Sequence, residues 1–385
     1  ELRNEKLSDI HKRTEGWVLG LRMILMTDEI NKVSETKTTS TPYSITEYAL
    51  IFLEHILKKF DDEFRNILFI SSILDRFNDG LVEALLKESK ITSKISGSSF
   101  IGDIVDRNLF VYSLDSEGKW YRYHHLFGEL LLHQLQKYYN RDEISHFHKI
   151  VSHWFEQNEF WDEAYDHAIY SGDFVLAVSI FNKNRIHFFN TDQLNRIDKW
   201  IAKLPEGILE KNLSLLVSRA VLDEAIRDAD AMKYHLTAAK KLADKLNDDS
   251  PENKQLLGEF HAVYCNLLFS FERKYEVALE HSNMALELLV DKTQYLFNYA
   301  LVVHLMALNA VGRFDEANQM LTHIEQSLEP DDEISLLYVS VVKSYLYSFK
   351  GDLNEIVFAC KRSLPIINAN KRWVLLSNVL SYLTS

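Results

Sequence analysis

The chain has 385 residues, 46% of them hydrophobic, which is enough for a sizeable core and more than one packed unit. Only 12 Gly and 5 Pro leave few turn signals, so a strand-rich fold is excluded and helices dominate. Lys and Arg number 43 against 56 Asp and Glu, a net charge of −13 with no long basic run, so nucleic-acid binding does not belong to this surface. Cys265 and Cys360 stand apart within apolar helical patterns and read as core thiols in a reducing compartment. No apolar stretch is long enough to span a membrane and the first residues carry no secretion signal, so the cytoplasm is the expected location.

From Glu5 to Met26 the apolar positions Leu7, Ile10, Trp17, Leu21, Ile24 and Leu25 recur at helical spacing, broken by Gly16 and Gly20. Asn31 to Pro42 is polar and Thr/Ser-rich and reads as a loop. Helical spacing resumes from Ile45 to Phe60 and again from Asp61 to Leu74, where Asp61, Asp62 and Glu63 suit the positive end of a helix dipole. Lys90 to Gly102 is Ser/Gly-rich and reads as a loop before a helical segment that ends near Asn108.

The period then changes. Leu109, Val111 and Ser113 alternate, as do Trp120, Arg122 and His124, around an Asp115-Ser116-Glu117-Gly118 turn, which predicts a β-hairpin. With His125 to Tyr139 as the closing helix, the order of elements is that of a winged-helix module over 61–141, preceded by a helical segment over 1–60.

From 142 to 385 the chain is helical and punctuated by recurring phrases. Asn158 to Ala164, Arg273 to Ala278, Gly312 to Ala317 and Lys350 to Ile356 each place a turn before an aromatic or Leu, an acidic pair or its near equivalent, and a small or apolar knob. Asp228 to Ala231 is a weaker copy. A lone helical hairpin cannot bury both faces, so a small knob that admits a neighbouring helix predicts stacked hairpins, a tetratricopeptide-like superhelix. Steps of 39 residues between knobs 278, 317 and 356 exceed the usual 34 of that repeat and predict an irregular stack.

No Walker lysine motif and no Gly-x-Ser-x-Gly elbow occurs, so no catalytic residues are expected in this chain. Six histidines between His124 and His153 lack the spacing of metal ligands, and no metal site is expected. The acidic pairs Asp162/Glu163 and Asp315/Glu316 fall at helix starts, where the dipole accounts for them. Tyr264, Phe269, Phe271, Tyr295, Tyr299, Tyr338 and Tyr345 crowd the last repeats. Any one of them is more simply a core residue, but as a set they are the candidate lining of a ligand or partner groove.

Several phrases occur in a telling order: Gly16-Trp17-Val18-Leu19-Gly20-Leu21, Ser71-Ser72-Ile73-Leu74-Asp75-Arg76-Phe77, Arg107-Asn108-Leu109-Phe110-Val111 and Tyr121-Arg122-Tyr123-His124-His125-Leu126-Phe127, followed by Ala164-Tyr165-Asp166-His167-Ala168-Ile169. Together they resemble the large MalT-like, LuxR-type transcriptional activators, a branch of the signal-transduction ATPases with numerous domains. The resemblance implies a central fragment between a P-loop domain and a DNA-binding helix-turn-helix, both lying outside this chain. It further implies ATP or ADP as the ligand of the whole protein, an inducer or protein partner on the superhelix, and self-association in the active form.

On the same resemblance, Trp17 and Val18 are placed beside the adenine and His124 at the β-phosphate of ADP. Val18 departs from a proline found in many relatives, and His125 from the Pro or Asp that follows the histidine elsewhere. Taken on its own residues, His124 reads as a hairpin-end histidine satisfied by a backbone carbonyl. A constitutive protein-binding scaffold without small-molecule sensing is the alternative function.

Overall fold

Polar caps set the helix starts. In the computed structural model, which describes residues 53, 56–89, 94–247, 249–291, 295–327 and a further few between 339 and 361, Asp61 accepts a hydrogen bond from the Phe64 amide (2.8 Å) and opens α1, Asp62–Ser71. Asn78 does the same for α2, Asp79–Glu88.

The third helix departs from the sequence pattern. The stretch Lys90 to Gly102 reads as a loop, yet α3, Gly97–Asp106, starts inside it, because Ser96 caps the Ser99 amide and Phe100, Ile101 and Ile104 turn inward. Gly97 makes the start possible: a Cβ there would lie 2.2 Å from the Asp79 carbonyl oxygen, and its amide donates to Glu83 (2.8 Å).

The predicted hairpin is present as β1, Val111–Ser113, paired antiparallel with β2, Tyr121–Tyr123, in the register Val111 to Tyr123. The Asp115 carboxylate accepts from the amides of Glu117, Lys119 and Trp120 at 2.8 to 3.0 Å, which holds the turn. Phe77 and Tyr121 exchange two backbone hydrogen bonds of 2.8 Å and tie the segment after α1 to β2. The helix α4, His125–Tyr138, packs on α1, and the buried Tyr123 hydroxyl lies 2.8 Å from Ser71 Oγ. Two more helices follow, α5, Arg141–Gln157, and α6, Trp161–Ser171.

The chain divides into two compact units between Asp173 and Phe174. The hairpin α5–α6 therefore belongs with the winged-helix elements, and α5 packs on α2.

The second unit is all helix among its described residues: α7, Phe174–Asn190; α8, Leu194–Ala202; a short 3-10 turn; α9, Leu213–Ala225; α10, Ala229–Ala243; α11, Pro251–Asn266; α12, Tyr275–Leu288; α13, Tyr295–Ala310; and α14, Phe314–Ser327. Hairpins α9–α10 and α11–α12 each pack internally, and α9, α11 and α13 pack in succession, which is the stack the repeats predict.

The repeated phrases share one backbone event. Glu159, Arg227, Arg273 and Gly312 all have positive φ, and the residue five positions later is a fully buried knob: Ala164, Met232, Ala278 and Ala317. A left-handed residue closes the first helix of each hairpin, with Phe160, Asp228 and Arg313 each donating to the carbonyl five residues back. The weak copy is thus offset by one, its knob being Met232 and not the half-buried Ala231. A further copy was hidden: Asp192 has φ 56°, Gln193 donates to the Phe188 carbonyl, and Ile197 is fully buried. Knobs at 164, 197, 232, 278 and 317 give steps of 33, 35, 46 and 39, so the first two hold the usual tetratricopeptide length and the later ones stretch. One cause of stretching is the π-turn Leu267–Phe271 after α11, which moves the closing bond to Lys274 and Leu268. The knob Ile356 is buried, and the turn before it lies outside the described residues.

Two kinds of polar contact join neighbouring helices. Arg185 of α7 forms a bidentate pair with Glu259 of α11, their side chains 5% and 0% exposed, and Gln255 also donates to Glu259 (2.9 Å). Removing one partner strands a buried charge. Arg185→Met is expected to lower the unfolding free energy by about 3–5 kcal/mol in denaturant titrations, whereas Arg185→Met with Glu259→Leu recovers most of the loss. A double variant as unstable as the single one would contradict this.

The second kind recurs: His148 and His167 face each other Nδ1 to Nδ1 at 2.8 Å across α5–α6, and His261 and His281 do the same across α11–α12. Burial lowers the pKa of all four, His148 and His261 to about 4 and His167 to about 3. Each folded value lies below the unfolded one, so the unfolded chain binds more protons as pH falls, and stability is full above pH 6.5 and lost below it. For each of His148 and His261 the expected loss between pH 7 and pH 5 is about 2 kcal/mol. Thermal unfolding midpoints should drop over that interval, and His148→Gln should reduce the drop. A midpoint flat from pH 7 to pH 5 would contradict the pairing.

Candidate functional site

The end of the hairpin brings the winged-helix histidine into place. His124 caps α4: its amide donates to the Phe110 carbonyl (2.7 Å) and its carbonyl accepts from Gly128 (2.9 Å), while its side chain makes no capping bond. Its ring lies beside that of His125, with centroids 5.3 Å apart. No acidic residue occupies the first turn of α4, so the positive end of its dipole is not offset there.

Beside it opens a cavity of about 380 Å³, walled by Asp75, Arg122, Tyr123, His125, Glu129 and Leu132 among others. His125, and not His124, is the histidine in its wall. Arg122 and His125 supply donors that fit a phosphate, and the carboxylates Asp75 and Glu129 fit the ribose hydroxyls or the cation that accompanies a nucleotide. The residues present are therefore compatible with one edge of a nucleotide. Trp17 and Val18 lie outside the described residues.

The remaining histidines do not converge. His146 lies 3.4 Å from the Glu88 carbonyl oxygen, His148 pairs with His167, and His153 lies 3.8 Å from Glu156. Among the described residues no three His, Cys, Asp or Glu side chains are grouped to hold a metal ion.

The aromatic set divides. Phe269 and Tyr295 are 8% exposed and belong to the core, which corrects their place in a groove. Phe269 packs on Cys265, Ala278 and Val303, because the small knob Ala278 leaves room for a ring. Tyr295 stacks on Phe189 (5.8 Å) and its amide donates to Asn190 (2.8 Å). Tyr264 is half-buried, stacked on Phe260 and edge-on to His281. Tyr299 accepts a hydrogen bond from Asn266, and burial pushes its hydroxyl pKa well up. Phe271 and Tyr345 are half-buried, Tyr345 against Phe269, and Tyr338 lies outside the described residues. Cys265 is a buried core thiol, as its apolar surroundings predict, and Cys360 lies outside the described residues.

One cluster escaped the sequence pattern. Arg76 forms an ion pair with Glu163 of α6, and its guanidinium lies 4.3 Å from the ring centre of Trp120 and 4.7 Å from that of Phe160. Trp154 of α5 meets both rings, at 6.2 and 6.5 Å. Arg76 stands in a quoted motif, but its acid lies 87 residues away and nothing local announces the pair.

The family described as the MalT winged helix domain matches residues 53–143. The HTH-type transcriptional regulator MalT of Vibrio parahaemolyticus is 27% identical over 315 residues, covering 81% of this chain and 34% of that protein. MalT of Klebsiella pneumoniae is 24% identical over 319 residues, 82% and 34% of the two chains. The serine/threonine-protein kinase PknK of Mycobacterium tuberculosis is 26% identical over 220 residues, 57% of this chain and 18% of that one. Among solved structures, a signal transduction ATPase with numerous domains (STAND) protein with a tetratricopeptide repeat sensor, from Pyrococcus horikoshii, covers 98% of this chain and 59% of its own at 13% identity, with a TM-score of 0.49. This chain thus spans about a third of the length of the MalT relatives it matches. Among the described residues no helix is long and apolar enough to cross a membrane. With a MalT-type winged helix over residues 53–143 and alignment to MalT over some four-fifths of its length, the chain is MalT-like.

Proposed function

We propose that this chain is the signal-reading and autoregulatory region of a cytoplasmic, MalT-like transcriptional activator. The winged-helix match over residues 53–143 is the observation that carries the reading. Stacked hairpins from α7 onward supply a surface for an inducer or a protein partner, and the winged helix answers to a nucleotide. DNA contact is left to a domain of the whole protein outside this chain, in keeping with the acidic net charge of −13.

ATP or ADP, held by a P-loop domain of the whole protein, supplies binding energy that favours one conformation over another. On this chain Trp17 and Val18 would pack beside the adenine. His124 would meet the phosphates, supported by Arg122 and His125 in the neighbouring cavity wall. No proton transfer or bond cleavage is assigned to these residues.

The mechanism is a population shift. A ligand moves the balance between resting and active forms only as far as it prefers one of them, and a near-complete switch takes about 5.5 kcal/mol of preference. A resting form held by ADP through the winged helix would be released when the helical unit binds its signal, and the released form self-associates.

The test uses the full-length protein, with its mass in solution measured by light scattering in ADP and in ATP with inducer candidates. The expected result is a monomer in ADP and a larger species on activation, with His124→Ala weakening ADP and shifting the balance toward association. A mass unchanged across nucleotides, ligands and this variant would instead favour a constitutive scaffold.

A further inference from the structure

A second cavity, of about 310 Å³, opens in the helical unit between α8 and α9, walled by Asp192, Asn195, Asp198, Arg219, Leu222 and Ile226 among others. Its one cation is already committed. Arg219 Nη1 donates to Asp198 (2.8 Å) and Nε to Asp223 (3.0 Å), and the 1%-exposed Asp223 also takes His235 Nδ1 of α10 at 2.6 Å. Against this single cation the wall sets two carboxylates, Asp192 and Asp198, and is net negative. The last turn of α9, which ends at this cavity, carries no basic residue to oppose the negative end of its dipole.

The apolar side of the wall is Leu222 and Ile226, and Ile226 is 69% exposed at the rim. A carboxylate end beside an aliphatic side is the complement of a long basic side chain, whose methylene stem packs on apolar surface while its head seeks charge. The volume is at the lower limit for ligand pockets, room for one such side chain.

We infer that this cavity is a docking point for a lysine or arginine side chain of a partner polypeptide, flanked by aliphatic residues. The inference rests on the reading of the helical unit as a binding region and supplies the chemistry of the partner. Arg219 acts as a positioning residue, holding Asp198 at the wall and linking the cavity through Asp223 to α10.

The test is selection of a randomised displayed peptide library on the intact chain, followed by calorimetry of the selected peptides. Peptides with a basic residue beside aliphatic ones are expected. Replacing that residue by norleucine, or using the Asp198→Asn protein, should weaken binding by about tenfold or more. Asp192→Asn should act in the same direction, and Asp230→Asn, on the exposed start of α10, should leave binding unchanged. Circular dichroism of each variant separates loss of binding from loss of fold. Selected peptides that bind Asp198→Asn as well as wild type would overturn the cavity while leaving the helical unit a binding region. Selection that yields no binder would overturn both. Free spermidine competing at the peptide's own affinity would assign the cavity to small amines and overturn the polypeptide partner.

Discussion

A single guanidinium ties three elements of the first unit to one another. Arg76 follows α1, yet it lies against Trp120 before β2 and against Phe160 at the head of α6, and it is closed by Glu163 in the first turn of that helix. Two ring faces and a carboxylate around one half-buried charge give about 0.5–1 kcal/mol for each ring at such exposure, and more where water is excluded. The same residue therefore fastens the hairpin to α5–α6. This explains why that helical pair, which speaks the grammar of the repeats, folds with the winged helix: its Trp154 and Phe160 complete the box around Arg76.

The second unit solves a different problem, stacking hairpins of unequal length. Its solution is a left-handed residue followed five positions later by a buried knob, seen at Asp192, Arg227, Arg273 and Gly312. That spacing survives while the distance between repeats stretches, since the π-turn after α11 absorbs extra residues without moving the knob. Long-range order is then added by Arg185 and Glu259, an ion pair between α7 and α11.

Much of this was legible in the sequence where the signal is local. Asp61 at a helix start, the Asp115 turn and the knobs Ala164, Ala278 and Ala317 depend on neighbours within a few residues. What was not legible depends on partners far along the chain. Gly97 reads as a loop glycine until the carbonyl of Asp79 is placed against it. The repeat at Asp192 has neither aromatic, acidic pair nor alanine, so only its φ and the burial of Ile197 reveal it. Phe269 and Tyr295 carry no mark that separates a core ring from a groove ring, and burial decided both for the core. His124 was placed at a hairpin end by its position, but the cavity that His125 faces is formed by the segment after α1, by β2 and by α4 together.

The winged helix and the α5–α6 hairpin thus fold as one unit fastened through Arg76. Hydrogen exchange on the intact chain, wild type against Arg76→Met, tests this most directly. The account predicts that amides of β2 and of α6 lose protection together, while those of α11 and α13 are unchanged. Wild-type protection in α6 beside a loosened β2 would show that the two are held independently and would contradict it.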